Sequence, residues 1–271
     1  MADINTIIEE AQLMKQNRAD LVKALNDVGF SQVNDSTPLS SIAKYMQWAG
    51  GLLDLRLACF HKTTKEHRYF TREEWEGLSA SNKSSYIKMG ICIRAERQQF
   101  IIAKDNATDA SGSLTMTWAP NNSNNVRGLT DFYNISTLLA DIDGEANTDL
   151  ILAAVETNGI DYPAAQRARA YKASTVADGG VDDPNTWSLP AIGQLWLLYK
   201  YFVRINEEMT FYGMSTIIND WYWSSTECNS STAWLVGMNG GSVGNATKVE
   251  YYTGRVRPVA PVSESAAASA I

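Results

Sequence analysis

Between Cys228 and Thr247 the chain runs for twenty residues without a charge, and twelve of these are Asn, Ser, Thr or Gly. A stretch of that composition has too little apolar surface to fold by itself. It takes one shape only if its surroundings are held firmly. Its borders are "WYWSST" (221–226) and "YYTGRVRPV" (251–259). Burying an indole such as Trp223 or Trp234 contributes several kcal/mol at ~25 cal/mol per Å² of apolar surface. The guanidinium of Arg255 or Arg257 can satisfy several backbone carbonyls with one planar fork of donors. These four residues are the expected scaffold anchors, and the remaining loops are expected to face solvent, where binding residues usually reside.

The 271 residues leave room for one large domain and a smaller one. A net charge of −7 argues against a nucleic-acid partner, whose phosphates require a clustered positive surface. No apolar run approaches a membrane span, so membrane insertion is not expected. The opening "MADINTIIEEAQLMKQ" is acidic and amphipathic and does not read as a secretory signal, which points to synthesis in a cytoplasm. Cys59, Cys92 and Cys228 lie far apart in sequence and read as reduced thiols.

Along the chain, residues 1–51 read as a helical oligomerisation or attachment segment. Ile4, Ile7, Ala11, Met14, Arg18, Leu21, Leu25 and Val28 follow the alternating three-and-four spacing of a coiled-coil seam, with Arg18 the one polar member. The same spacing also suits an amphipathic helix packed on its own domain, and both readings stand at this point. After Gly29, "PLSSIAKYM" reads as a second, short helix. Residues 52–104 read as a small β-rich region, with strands in "LLDLRLACF", "SSYIKMGICIRAE" and "QQFIIAKD" and a capping box of Thr71 with Glu74. Residues 105–262 form the main domain. "LTMTW" reads there as a strand and "NTDLILAAVETNG" and "YPAAQRARAYKA" as helices. A further helical face carries Ile192, Leu195, Leu198, Tyr199 and Phe202. Residues 263–271 read as a disordered tail.

Catalytic chemistry is not indicated. Cys59 and His61, with His67 nearby, lack a fourth ligand at zinc spacing. Two histidines and no Gly-x-Ser-x-Gly supply neither base nor elbow for a hydrolase, and no phosphate-cradling glycine loop precedes a helix. No catalytic residue, metal or cofactor is expected.

Four pieces in fixed order, "WSLPAIGQLWLLY", "YWSSTE", "TAWLV" and "RVRPV", carry a resemblance. Together they resemble the C-terminal half of a C-type-lectin-like fold, of the formylglycine-generating-enzyme type used by variable proteins of diversity-generating retroelements. Similar patterns occur in Bacteroidales and phage adhesins. The resemblance covers about residues 100–262 and is strongest over 187–259. It implies an α+β fold, with a coiled-coil-like N-terminal segment before a domain of two helices and short antiparallel strands. In that family an error-prone reverse transcriptase recodes adenines near the 3′ end of the gene, so Asn-rich positions drift among small polar residues. The helical pair before residue 51 resembles the attachment segments of bacteriophage tail proteins.

Carried over by position, the resemblance implies ligand contacts at Ser215, Thr216, Asn219, Asp220 and Trp221, at Cys228, Asn229, Ser230 and Ser231, and at Asn239, Gly241, Ser242, Gly244 and Asn245. Tyr212 and Tyr251 are implied as rim residues. The implied role is receptor binding by a homotrimeric phage tail adhesin on the virion. Its partners would be a host cell-surface protein or glycan, and virion tail components through the N-terminus. The alternative is a non-diversified bacterial adhesin or carbohydrate-binding lectin-like protein. The catalytic cysteines of formylglycine-generating enzymes are not carried over, since Cys228 stands alone in this region. Nor are calcium-binding signatures, because "NDW" at 219–221 has the wrong order and too few oxygen ligands.

Overall fold

The computed structural model describes residues 18–20, 22, 23, 34, 36, 37, 53–120, 125, 126, 128–174, 183–249 and 252–263. The heptad positions other than Arg18, the helix at "PLSSIAKYM", Tyr251 and the tail beyond Ser263 lie outside them. Two compact units are distinguished, the first built mainly from residues up to Asp54 together with 94–97, the second from 55–93 and 98–270.

In the first unit, residues 18–20, 22 and 23 are helical and Val22 is buried. The Arg18 guanidinium donates to the Thr37 carbonyl. That carbonyl belongs to a turn closed by Thr37 N–H on Asn34 O (2.9 Å) and by Ser36 N–H on Asn34 Oδ1 (2.9 Å). The polar member of the expected seam therefore has an acceptor in its own chain. Arg94 lies 3.6 Å from Asp54.

The second unit is α+β and carries two five-stranded sheets. The first sheet uses β1 (Asp54–His61), β2 (His67–Phe70), β3 (Tyr86–Ala95), β4 (Gln98–Ala103) and β10 (Val259–Ala260), in the order β10-β4-β3-β1-β2. Between β2 and β3 lie α1 (Arg72–Gly77) and α2 (Ala80–Ser84). The Thr71 capping box is formed, with Glu74 N–H on Thr71 Oγ1 (3.2 Å) and Thr71 N–H on Glu74 Oε2 (2.8 Å). Met89, Ile91, Cys92 and Ile93 of β3 are fully buried on successive positions, as in a strand covered on both faces. Val259 pairs with Ile102 and Ala260 with Ile101, so strands from both sides of the expected 104/105 boundary share this sheet.

The second sheet uses β5 (Thr115–Met116), β6 (Trp221–Glu227), β7 (Thr232–Gly237), β8 (Ser242–Thr247) and β9 (Gly254–Arg255), in the order β5-β9-β6-β7-β8. It is mixed, because β6 and β9 run parallel at Tyr222 and Arg255 while its other pairs are antiparallel. The helices are α3 (Ile135–Leu138), α4 (Gly144–Asn158), α5 (Pro163–Ala170), α6 (Ile192–Lys200) and α7 (Phe202–Phe211). Asp143 caps α4 by accepting from Ala146 N–H (3.0 Å), and Gly159, at φ 70°, ends it in the left-handed conformation. Ile151 and Ala154 of α4 pack into one core with Trp118, Trp223, Leu235 and Val256.

The helical run after residue 191 is two helices rather than one. Tyr201 leaves the helical region at φ −108° and ψ 19°, and the chain restarts at Phe202. Ile192, Leu195 and Leu198 of the expected face are fully buried.

Candidate functional site

The uncharged run is a hairpin. Its first turn is made by Asn229, whose Oδ1 accepts from Ser231 N–H (2.9 Å), Ser231 Oγ (3.0 Å) and Thr232 N–H (3.0 Å). β7 then runs through the middle of the sheet and is buried from Ala233 to Gly237. Gly240 and Gly241, at φ 87° and 71°, reverse the chain in a conformation that side chains resist. β8 returns along the sheet edge, pairing continuously from Ser242 with Gly237 to Thr247 with Thr232.

Two charges close the ends of this run. Glu227 stands immediately before it and Lys248 immediately after it, and their side chains form a fully buried ion pair. Glu227 also accepts from Val126 N–H at 3.1 Å, while Lys248 donates to the Ser230 carbonyl (3.3 Å) and lies 4.7 Å from the centre of the Trp118 ring. Burial pushes the Glu227 carboxyl above its ordinary pKa and pulls the Lys248 ammonium below its own, and their mutual attraction opposes both shifts. The pair therefore fixes the span of chain between residues 227 and 248.

The remaining scaffold is tied by buried polar groups to distant backbone. Trp223 donates from its indole to Met116 O (2.9 Å) and Trp118 donates back to Ser224 O (2.8 Å), so β6 and the 116–118 segment are cross-linked twice. Trp234 donates to Phe132 O (2.9 Å). The trio after Trp223 is buried yet satisfied. Ser224 Oγ donates to Trp234 O (2.7 Å), Ser225 N–H to Pro190 O (2.8 Å), and Thr226 Oγ1 to Asp141 Oδ2 (2.7 Å) while accepting from Ile192 N–H (2.9 Å) at the start of α6. The β6–β7 register shifts between Trp223 and Glu227, which frees these groups from the ladder.

Arg257 is fully buried and donates to Lys104 O (3.0 Å), Ser215 O (2.7 Å) and Asn106 Oδ1 (3.2 Å). Burial draws its pKa down to about 10. Arg255 behaves differently. It pairs with Asp220 at 2.7 Å rather than with carbonyls.

The residues implied as ligand contacts divide into three groups. Thr216, Asn219, Ser230, Asn239, Ser242 and Asn245 are exposed or half-buried, and among the described residues their side chains make no hydrogen bond. Trp221 belongs with them; its side chain is 40% exposed and lies 3.3 Å from where a Cβ on Gly237 would stand and 3.7 Å from one on Gly244. A second group is exposed or half-buried but engaged: Ser215 donates to Asp105 (2.5 Å), Asp220 holds Arg255, and Asn229 and Ser231 build the turn.

The third group corrects the expectation of exposure. Cys228 is buried, its N–H held by Thr232 O (3.0 Å) where β6 turns into β7. Tyr212 is buried at the end of α7, edge-on to Trp75 with ring centres 6.4 Å apart, and burial raises the pKa of its hydroxyl. Gly241 is half-buried with a positive φ, and a Cβ there would meet the Tyr199 ring at 2.2 Å, so it is fixed rather than replaceable. Glu227, Lys248, Trp118 and Asp141 were missed. A signal for the first two was present: they are the charges that bound a neutral run of twenty residues.

No family model and no curated protein matches the chain. Among solved structures it is similar to a fimbrial protein from Bacteroides ovatus, at 16% identity and a TM-score of 0.47, covering 60% of this chain and 36% of that one. The chain thus spans about a third of that protein's length. No helix among the described residues is long and apolar enough to cross a membrane.

Proposed function

We propose that this chain is a receptor-binding protein. In this reading a C-type-lectin-like scaffold displays a diversified ligand surface, and the N-terminal segment joins copies into a trimeric phage tail adhesin. The observation that carries it is the buried Glu227–Lys248 pair, which encloses a neutral hairpin whose side chains at Ser230, Asn239, Ser242 and Asn245 make no hydrogen bond among the described residues. A surface held at its ends can change its side chains while its backbone stays put. Exposed Asn and Ser beside a half-exposed indole also form the mixture of adaptable and rigid contacts used by paratopes. Several weak heads on one particle would gain avidity.

The test is a panel in which Ser230, Asn239 and Ser242 are replaced by Tyr, Asp and Ile in combination. The reading expects unchanged melting temperatures with altered retention on host-cell surfaces. Collapse of the fold on such replacements, or retention indifferent to all of them, would refute it. A gene without a neighbouring near-identical template repeat and reverse transcriptase would remove diversification from the reading. The alternative of a non-diversified, carbohydrate-binding module is favoured by Trp221, a half-exposed indole over two glycines beside the Asp220–Arg255 pair. It expects Trp221→Ala to abolish glycan-array signal while the Ser230 and Asn239 replacements leave it intact.

A further inference from the structure

β8 is an edge strand without the usual protection. Sheet edges are normally blunted by charges, proline, a bulge or shortness, because they expose a row of unpaired backbone groups. β8 has six residues, "SVGNAT", none charged and none proline, and its ladder with β7 runs through six consecutive pairs without a bulge. The phase of that ladder follows from its neighbours. Lys248 N–H bonds to Ser231 O (3.0 Å), which makes 231 with 248, 233 with 246, 235 with 244 and 237 with 242 the hydrogen-bonded pairs. Cys228 N–H bonds to Thr232 O, so the even residues of β7 bond towards β6, consistent with that phase. The N–H and C=O groups of Val243, Asn245 and Thr247 therefore point away from β7. Among the described residues none of them has a hydrogen-bond partner.

We propose that the free edge of β8 binds an extended, uncharged peptide segment of a target protein by strand addition, with an aliphatic or aromatic side chain placed opposite Gly244. Groups repeating along an edge are satisfied in series by another extended backbone. The absence of charge from residues 228–247 suits a neutral segment, since no charge on β8 offers a counterpart to a charged one. The side-chain preference comes from Trp221, whose ring crosses Gly237 and ends beside Gly244. An added strand would lie ~4.8 Å from β8 and set its side chain opposite Gly244 against the edge of that indole. A second copy of β8 fits less well, because on that face it presents only Ser242, Gly244 and Ala246 and leaves the indole edge uncovered. This inference rests on the reading of the hairpin as a ligand surface and names its partner.

The test selects heptapeptides from a random display library on the full-length protein and on a variant with Ser230, Asn239 and Ser242 replaced by Tyr. Selected peptides are then synthesised with N-methyl groups at odd or at even positions, so that the protein itself is unaltered. Strand addition expects one of the two methylation patterns to weaken binding at least tenfold and the other to change it little. Asn245→Pro, placed on an edge where its N–H is unused, should weaken binding at least tenfold, and unchanged binding in that variant overturns the inference. Equal tolerance of both methylation patterns, or no enriched peptide, overturns the inference. A dimer of the protein dissolved by Asn245→Pro would make the occupant a second copy and overturns it too. If the two proteins select different peptides that ignore methylation, the ligand-surface reading stands and strand addition fails. Identical peptides on both proteins, still sensitive to methylation, would sustain strand addition and remove diversified display.

Discussion

The two sheets of the second unit solve the same problem with different chemistry. In the first, β3 and β4 bury Met89, Ile91, Cys92, Ile93, Ile101 and Ile102 with no solvent access, and a Cβ on Gly90 would stand 1.8 Å from Ile102 O. These central positions are fixed by close packing of apolar groups. The second sheet also packs a core, with Trp223, Leu235 and Val256, but its buried run Ser224–Glu227 is polar and is held by a few long-range ties, two crossed indole bonds and a buried ion pair. Packing constrains all residues it touches, whereas ties constrain only the residues that form them. On the proposed reading, ties of this kind leave the side chains of the β8 edge free to change.

Breaking a tie should give the largest effect. Glu227→Ala leaves Lys248 buried without its partner and should cost ~3–5 kcal/mol by urea denaturation. The double replacement Glu227→Met with Lys248→Met should recover most of that loss, since apolar residues of similar volume often replace a buried pair without penalty. A single-mutant cost below ~1 kcal/mol, the level of an exposed pair, would end the distinction between the sheets.

Glycines give the next largest contrast. Gly90→Ala in the first sheet should cost ~1–3 kcal/mol through overpacking. Gly244→Ala in β8 meets only an ordinary contact at 3.7 Å from Trp221 and should be near neutral. Equal costs would place both sheets under the same constraint.

A smaller effect concerns pH. His67 begins β2, its ring edge-on to Phe60 with centres 5.2 Å apart, and burial holds its pKa below the ordinary value, against a smaller opposing pull from Asp183. Because the folded pKa is depressed, the neutral ring's contribution is present above the unfolded value of about 6.5 and is lost as pH falls below it. The melting temperature should drop between pH 7.5 and 5.5, and His67→Phe should flatten that dependence; a steeper slope in the variant would reverse the assignment.

Smallest of all should be Asn239→Tyr at the hairpin tip, where surface changes usually stay within ~0.5 kcal/mol. A cost above ~2 kcal/mol would show that the tip is committed to the fold.

Legibility in the sequence followed the same division. β1, β3 and β4 could be read from apolar content, and Thr71 with Glu74 announced a helix start, because these signals are local. β2 was not readable, since "HRYF" has no apolar alternation, and the break at Tyr201 interrupts a helical pattern that the residues themselves continue. In the second sheet, Trp223 and Trp234 could be singled out because large indoles seek burial. Burial of Cys228 and Tyr212 could not be foreseen, since it depends on elements far along the chain. The roles of Arg255 and Arg257 were indistinguishable by type; only their neighbours, Asp220 for one and three oxygens for the other, separate them. Glu227 and Lys248 look like two solvated charges until the hairpin brings them together.

That ion pair has a consequence for length as well as for composition. With both ends of the segment pinned, residues inserted between Asn239 and Gly240 would extend the tip outwards and leave the entry and exit points unmoved. Loop entropy rises slowly, by ~0.6 kcal/mol for each doubling, so grafted peptides of very different size should be accommodated at similar expense. On the proposed reading the hairpin is in that sense a socket, whose contents would be exchanged by cut-and-paste as well as by point change.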